Sequence, residues 1–337
     1  MTYDKPRDIF GMYVFDRRAM RERLPRDVYD ALIASIEGGQ KLDSSIADMV
    51  AAAMKEWALS KGATHYTHWF HPRTELTAEK HTAFLVADEN GLPMESFKGK
   101  ELVQSEPDAS SFPSGGIRST FEARGYSAWD PTSPAFIVTS KKGGTLCIPS
   151  VFISYDGTPL DLKTPMMKAL DAVETRALRL LKLFGNRGLK WAKVTVGAEQ
   201  EFFLIDGAGA RKRPDLQFCG RTIIGCQPPK GQQMEDHYLG AIPPRVLSYM
   251  EDVERDLYRL GVVITTRHNE AAPCQFEFAP QHAEANLSCD QNQLIMETLR
   301  KMARRHDLML LLHEKPFAGL NGSGKHINFS IQDSDGK

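Results

Sequence analysis

Two glutamates stand two positions apart in the otherwise apolar segment VGAEQEFFLID, residues 196–206. Side chains of a β-strand alternate between its faces, so Glu199 and Glu201 would point to the same side. The apolar run from Phe202 to Ile205 favours a strand covered on both sides over an edge strand with a solvated, charged face. Two like charges held there require a cation between them or shifted carboxyl pKa values. The segment therefore predicts a functional carboxylate pair.

Three further side chains could join this pair. Glu270 and Glu277 flank a proline turn in HNEAAPCQFEF, residues 268–278. Each alone is typical of a solvated surface, but across a hairpin the two carboxylates can face each other. His326 alone would be a core or surface histidine, but it follows the Gly-Ser-Gly run 322–324, and such loops let backbone N–H groups approach an anion. Four carboxylates and one imidazole on successive strands predict a hard-cation site, for Mg²⁺ or Mn²⁺ rather than Zn²⁺.

Local patterns predict the elements that would position these residues. Thr164 and Pro165 mark the start of a long amphipathic helix, which Gly185 ends. Further helices are predicted over residues 46–62, 245–261 and 292–312, and strands over 81–88, 135–140, 145–154, 196–206, 262–270, 274–280 and 325–331. These elements indicate an α+β protein.

The domain organisation follows from the same patterns. Strands dominate up to about Ser150 and helices alternate with strands after it, which predicts domains over residues 1–150 and 151–337. The segment 108–134 is rich in Ser, Gly and Pro but also carries arginine, tryptophan and aspartate side chains. A loop of this length and composition indicates function rather than a passive linker.

Composition excludes few classes of protein. The 42 basic and 43 acidic side chains leave a net charge of −1, so there is no general attraction to nucleic acid or anionic lipid. The N-terminus has no hydrophobic signal region, and the apolar run at 308–312 is far too short to span a bilayer. The five cysteines contain no CxxC pair and are predicted to be reduced thiols. We expect a cytoplasmic protein that binds neither nucleic acid nor membrane.

Three motifs carry a resemblance to a known family. VGAEQEFF, HNEAAPCQFEFAP and HEKPFAGLNGSGKHINFS occur in the order and approximate spacing of the glutamine synthetase signatures. The segments GATHYTHWFHP, FPSGGIRSTFEARGYSAWDPTSPAFI and GRTIIGCQPPKGQQMEDHYLG are similar to the type III branch. The resemblance implies a small N-terminal β-grasp-like domain with an active-site loop at 108–134, and the first part of a catalytic domain built as an antiparallel half-barrel sheet with flanking helices.

The resemblance also implies an activity, ligands and roles for residues. The family joins ammonia to L-glutamate through γ-glutamyl phosphate, using ATP and two or more Mg²⁺ or Mn²⁺ ions, in glutamine biosynthesis and nitrogen metabolism. Residues that match the ligands of one metal are Glu201, Glu270 and Glu277, and those that match the ligands of the other are Glu199 and His326. Residues that match the substrate site are Asn321 and Gly322, and those near the nucleotide are Asn328 and Ser330. The triplet His65, His68 and His71 falls in the N-terminal region, where packing or an interface is expected.

The ammonium-polarising acid would come from the N-terminal domain of a neighbouring subunit. Asp130 is the candidate in this chain, and Ser114 is a second candidate from the same loop. Such a site lies between subunits, so the resemblance implies a homo-oligomeric ring.

Two alternatives stay open at the sequence level. The same fold and metals serve γ-glutamyl-polyamine or related amine ligases, and a catalytically silent regulatory or assembly module could keep the metal cluster. In the resembled family a further ligand glutamate, substrate arginines and a protective flap follow beyond Lys337. We therefore expect a fragment that is inactive and poorly soluble alone, because an unfinished sheet exposes an edge and apolar surface.

Overall fold

The computed structural model describes residues 5–38, 43–72, 77, 80–105, 125–186 and 188–336. The helices are α1 (Pro6–Ile9), α2 (Arg17–Arg23), α3 (Arg26–Gly38), α4 (Ser44–Ser60), α5 (Gly99–Val103), α6 (Lys163–Leu183), α7 (Gly207–Ala210), α8 (Pro214–Cys219), α9 (Pro244–Arg259) and α10 (Ala285–Arg305). The strands are β1 (Ala63–Trp69), β2 (Thr82–Ala83), β3 (Leu85–Ala87), β4 (Pro93–Glu95), β5 (Gln104–Ser105), β6 (Gly125–Trp129), β7 (Phe136–Ser140), β8 (Gly143–Ser154), β9 (Ala192–Asp206), β10 (Ile264–Asn269), β11 (Gln275–Pro280), β12 (Ala283–Glu284), β13 (Leu308–Leu311) and β14 (Lys325–Asp333).

The chain divides into two compact units. One comprises residues 11–172, and the other comprises residues 173–337 together with the segment up to Phe10. The break therefore falls within α6, whereas the predicted boundary at Ser150 lies inside β8. Among the helices of the described ranges, none has both the length and the apolar character that crossing a bilayer requires.

The unit of residues 11–172 is built around a sheet in the order β2-β1-β8-β6-β5, with β7 also paired to β8. The β1–β8 pair is parallel and the other pairs are antiparallel. Helix α4 buries Val50, Met54 and Trp57 in a core shared with Leu146 and Ile148 of β8. Its end at Ser60, beside the positive-φ Gly62, confirms the helix predicted over 46–62. The β-grasp arrangement of this unit stays a prediction.

His68 packs inside this unit, as expected for the histidine triplet. Its Nε2 lies 2.7 Å from the main-chain oxygen of Glu101, and its Nδ1 lies 2.9 Å from Oγ of Ser150. Burial lowers the pKa of His68, and the hydrogen bond to the Glu101 carbonyl offsets this only in part. The folded unit therefore holds this imidazole in its neutral form to lower pH than the unfolded chain does.

Acid should destabilise the unit of residues 11–172 through His68. The unfolded imidazole takes up a proton below about pH 6.5, whereas the folded one resists protonation, so the free energy of unfolding falls as pH falls through this range. His68→Gln should flatten the slope of the unfolding free energy between about pH 7 and 5, measured by urea denaturation. An equal slope for wild type and His68→Gln would contradict the assignment.

The unit of residues 173–337 has a sheet in the order β10-β11-β9-β12, and β13 and β14 also pair with β9. All these pairs are antiparallel. Phe202 of β9 is fully buried and contacts the rings of Tyr249 on α9 and Phe278 on β11. Phe203, on the opposite face, packs with Leu311 in a second cluster. Both faces of β9 are therefore covered here, as the apolar run predicted.

One predicted helix is wrong in its bounds. Residues 292–312 were expected to form a single helix, but α10 spans Ala285–Arg305 and the apolar run that follows forms strand β13. Asp307 adopts a left-handed conformation (φ 51°) between them, which a helix interior excludes. Leu308–Leu311 then pair with β9, which buries Leu308 and Leu311 and half-buries Met309 and Leu310.

Candidate functional site

The central strand β9 places the predicted carboxylate pair beside two other predicted ligands. Glu277 of β11 pairs with Glu201, and His326 of β14 pairs with Glu199. Directly opposed residues of antiparallel strands share a face of the sheet. Glu201 and Glu277 are buried, while Glu199 is half-buried and His326 is exposed. Four of the five predicted ligands therefore lie together, with the histidine at the open side.

Glu270 joins these four residues through His268, which was not predicted from the sequence. Glu270 follows β10 and pairs with Gln275 across the turn, so it lies diagonal to Glu277 rather than directly opposite. The two carboxylates still come within 4.8 Å of each other, as the hairpin allowed. His268 is the residue opposite Glu277. Its Nε2 lies 2.8 Å from Oε2 of Glu277, and its Nδ1 lies 3.6 Å from Oε1 of Glu270. The period-2 spacing of His268 and Glu270 was the signal that could have placed both on one face.

These side chains form two overlapping groups of ligand atoms. One atom each from Glu199, Glu277 and His326 lie within 4.8 Å of one another, and so do atoms from His268, Glu270 and Glu277. Glu277 belongs to both groups. Glu201 Oε1 lies 3.6 Å from His326 Nδ1, at the side of the first group. The division of ligands between two metals that the resemblance implied stays a prediction.

The concentration of charge changes the acidity of two carboxyls. Burial raises the pKa of Glu277 to about 7; the charge of His268 opposes this, and the neighbouring glutamates add to it. Burial also raises the pKa of Glu270, with a contribution from the charge of Glu201. Without a cation, the Glu277 carboxyl is therefore partly protonated near neutral pH.

The cluster fits divalent cations on its own chemistry. Within the described residues, Glu277 Oε1 is buried and has no hydrogen-bond partner, and a buried carboxylate oxygen left unpaired is costly. Oxygen ligands with one or two imidazoles suit Mg²⁺ or Mn²⁺, and the absence of cysteine among the grouped ligands argues against a closed zinc site. The residues that would hold cations are Glu199, Glu201, His268, Glu270, Glu277 and His326.

Glu201 is oriented by the glycine loop and by a glutamine on β11. Its Oε2 accepts hydrogen bonds from Gln275 Nε2 and from the N–H of Gly324, both at 3.0 Å. A Cβ on Gly324 would lie 2.6 Å from the same oxygen, so a larger residue here would displace the Glu201 carboxylate from this position. Oε2 is thereby engaged, which leaves Oε1 as the atom directed to a ligand.

A cavity of about 710 Å³ opens over the cluster and is lined in part by Glu201, Glu270, His326, Asn321 and Gly322. The predicted substrate residues therefore share one cavity with three of the five predicted metal ligands. Gly322 O accepts a 2.7 Å hydrogen bond from Gln275 Nε2. A Cβ on Gly322 would collide with the main-chain oxygen of Glu314, so a glycine is required at this position.

The residues predicted near the nucleotide lie farther along β14. Asn328 Nδ2 donates to Glu199 Oε1 at 2.9 Å, and Ser330 Oγ lies 2.8 Å from Thr195 Oγ1. Alternation places Asn328 and Ser330 on the same face as His326. They form a polar row that leads away from the carboxylates.

Asp130 has a structural environment in the unit of residues 11–172. Its Oδ2 lies 2.9 Å from Lys163 Nζ, with both side chains almost wholly buried. Its Oδ1 accepts hydrogen bonds from the N–H and hydroxyl of Thr132. Its role as the ammonium-polarising acid stays a prediction, and Ser114 lies outside the described residues.

Comparisons with known proteins found a matching family model for each half of the chain. A family model described as "Glutamine synthetase type III N terminal" matches residues 6–169, and "Glutamine synthetase, catalytic domain" matches residues 175–337. A glutamine synthetase of Bacteroides fragilis is 50% identical over 328 residues, which are 97% of this chain and 44% of that protein. A type-3 glutamine synthetase of Dictyostelium discoideum is 48% identical over 334 residues, 99% of this chain and 45% of that protein. The chain thus spans less than half the length of these relatives.

A solved structure shows the likeness of fold. The cryo-EM structure of Plasmodium falciparum glutamine synthetase has a TM-score of 0.57 at 16% identity, covering 84% of this chain and 54% of that one. At this identity only the fold is comparable. The chain has a mixed α/β fold whose main sheet curls into a half-barrel.

Proposed function

Because the chain belongs to the glutamine synthetase family, in its type III branch, we propose that the protein containing it joins ammonia to L-glutamate at the expense of ATP. In the first step, an oxygen of the γ-carboxylate attacks the γ-phosphorus of ATP and ADP leaves. In the second step, ammonia attacks the γ-carbonyl carbon, phosphate leaves and the nitrogen loses a proton to a base. The observation that carries the proposal is the convergence of Glu199, Glu270, Glu277 and His326 into two ligand groups that share Glu277.

The position of each residue in the site indicates the ligand that it would bind. The two ligand groups lie side by side on the sheet, so they would hold Mg²⁺ or Mn²⁺ ions next to each other. When bound, such ions screen the repulsion between the anionic acceptor and the phosphoryl group. Asn321 and Gly322 would hold the glutamate in the cavity, while Asn328 and Ser330 would face the nucleotide.

Turnover by the protein that contains this chain tests the proposal. With glutamate, ammonium, ATP and Mg²⁺ or Mn²⁺, glutamine and phosphate should form in equal amounts, and neither should form without ATP. Release of phosphate with a polyamine but not with ammonium would replace the proposal by an amine ligase. Manganese binding without any ATP turnover would instead indicate a silent module.

The remaining proposals concern the assembly, the ammonium site and the location of the protein that contains this chain. We propose a homo-oligomeric ring with active sites between subunits, and Asp130 or Ser114 as the source of the ammonium-polarising group. The cytoplasmic location stays a prediction. Sedimentation analysis of the protein that contains this chain would reveal a monomer if the ring were wrong.

A further inference from the structure

Gln232 contacts Asn321 through both ends of its side-chain amide. Gln232 Nε2 donates to Asn321 Oδ1 at 3.0 Å, and the main-chain N–H of Asn321 donates to Gln232 Oε1 at 2.8 Å. Gln232 is half-buried and precedes the 3₁₀ turn at Gln233–Glu235. Asn321 lines the cavity, and Gln232 is not among its lining residues. The side chain of Gln232 therefore acts on the cavity through its contacts with Asn321.

The two hydrogen bonds fix which way the Asn321 amide points. A main-chain N–H can only donate, so the Gln232 atom that faces it must be the oxygen. The other terminal atom of Gln232 is then its nitrogen, which also can only donate. The Asn321 atom facing that nitrogen must be Oδ1. The end of the Asn321 amide that remains for a ligand is therefore Nδ2, a hydrogen-bond donor, which matches a carboxylate.

Gln232 is itself held in place by its segment. The chain before it is tied to the loop that precedes Asn321, since the N–H and hydroxyl of Thr222 both donate to Pro316 O, at 2.8 and 3.0 Å. The chain after it is tied to β10, since Asn269 Nδ2 donates to the main-chain oxygens of Gly240 and Ala241. Next to Gln232, the N–H of Glu235 donates to Gln232 O at 3.1 Å, and His237 Nε2 lies 3.1 Å from Gly231 O. A main chain held in this way lowers the entropy cost of orienting the Gln232 amide.

We propose that Gln232 is a positioning residue for the carboxylate substrate. It holds the Asn321 amide in the orientation that directs the Asn321 Nδ2 group toward the cavity. The inference rests on the proposed function, in which Asn321 binds glutamate, and adds how the polarity of that contact is set. Gln232 does not touch the substrate, so its effect must pass through Asn321 and must fall on glutamate rather than on ATP.

Gln232→Glu replaces the side-chain NH₂ group with an oxygen and should therefore reverse the orientation of the Asn321 amide. The new carboxylate still accepts from the Asn321 N–H, but its second oxygen also accepts, so the Asn321 amide must turn and direct its oxygen to the cavity. The protein that contains this chain should then show a KM for glutamate raised by about tenfold or more, with the KM for ATP unchanged. Gln233→Glu adds the same charge on the next, exposed side chain and should leave both constants at wild-type values.

A double variant separates positioning from a general structural effect. In an Asn321→Ala background, Gln232→Glu should raise the KM for glutamate no further, because its target is absent. Thermal unfolding of each variant shows whether the fold is kept, and Gln232→Met, which loses both bonds without adding charge, should give a smaller rise. An unchanged KM in Gln232→Glu, or a full effect in the Asn321→Ala background, would overturn the proposal.

Direct binding separates this inference from the proposed function. If the wild-type protein makes no glutamine, the proposed function fails, and calorimetric titration with glutamate in the presence of Mn²⁺ still tests Gln232. The dissociation constant should rise in Gln232→Glu and not in Gln233→Glu. Equal constants, or a wild-type protein that binds no glutamate, would rule out the positioning role.

Discussion

Glu277→Gln is expected to lower glutamine formation by about a thousandfold or more, because several kcal/mol of charge stabilisation by bound cations is lost. Glu277 is the one side chain that belongs to both ligand groups. The substitution keeps the shape and removes the charge, and its buried Oε1 position can no longer supply an anionic ligand. Initial rates at saturating substrates, with glutamine measured directly, give the comparison.

Glu284→Gln is the matched control for this substitution. Glu284 lies on β12, beside the same central strand, and pairs with Lys193 at 3.0 Å rather than with the cluster. Loss of the Glu284 charge should leave the rate of glutamine formation near the wild-type value. A Glu277→Gln protein that keeps more than about a tenth of wild-type turnover would contradict a shared ligand, since one decade corresponds to only about 1.4 kcal/mol.

Lys163→Met should destabilise the unit of residues 11–172 by about 3–5 kcal/mol, because it removes the cation that lies 2.9 Å from the buried Asp130 carboxylate. The two side chains are 0% and 1% exposed and form a 2.9 Å ion pair. Chemical denaturation, followed through the transition of this unit, measures the loss.

The control is an ion pair in solvent. Arg18 and Glu22 lie one turn apart on the surface, with side chains 85% and 61% exposed, so Arg18→Met should change stability little. In a Lys163→Met/Asp130→Leu double variant, part of the loss should be recovered, because the buried Asp130 charge is removed together with its Lys163 partner. Equal losses for Lys163→Met and Arg18→Met would show that the buried pair is not structural.

The strands of the site were predictable because their signals are local. Alternation placed Glu199 and Glu201 on one face, and the turn around Pro273 separated the two strands of the hairpin. The partner of Glu277 was not predictable, because the register that sets His268 opposite it depends on how Glu270 and Gln275 close the turn. Period 2 reveals which residues share a face, but not which residue of the next strand lies alongside.

Contacts between irregular segments also could not be predicted from the sequence. Gln232 and Asn321 both lie in loops, and neither periodicity nor composition indicates that they meet. The apolar run 308–312 was misread for a related reason: a short buried strand and a buried helix segment have the same composition. The residue that separates them, Asp307, is not one of the usual helix-ending glycines or prolines.

The position of bound Mn²⁺ tests the central claim most directly. An anomalous difference map from crystals of the protein that contains this chain, grown with Mn²⁺, should show two peaks within about 2.5 Å of carboxylate oxygens. One peak should lie between Glu199, Glu277 and His326, and the other between His268, Glu270 and Glu277. A map without a peak beside Glu277, in crystals that bind manganese elsewhere, would contradict a shared two-metal site on this sheet.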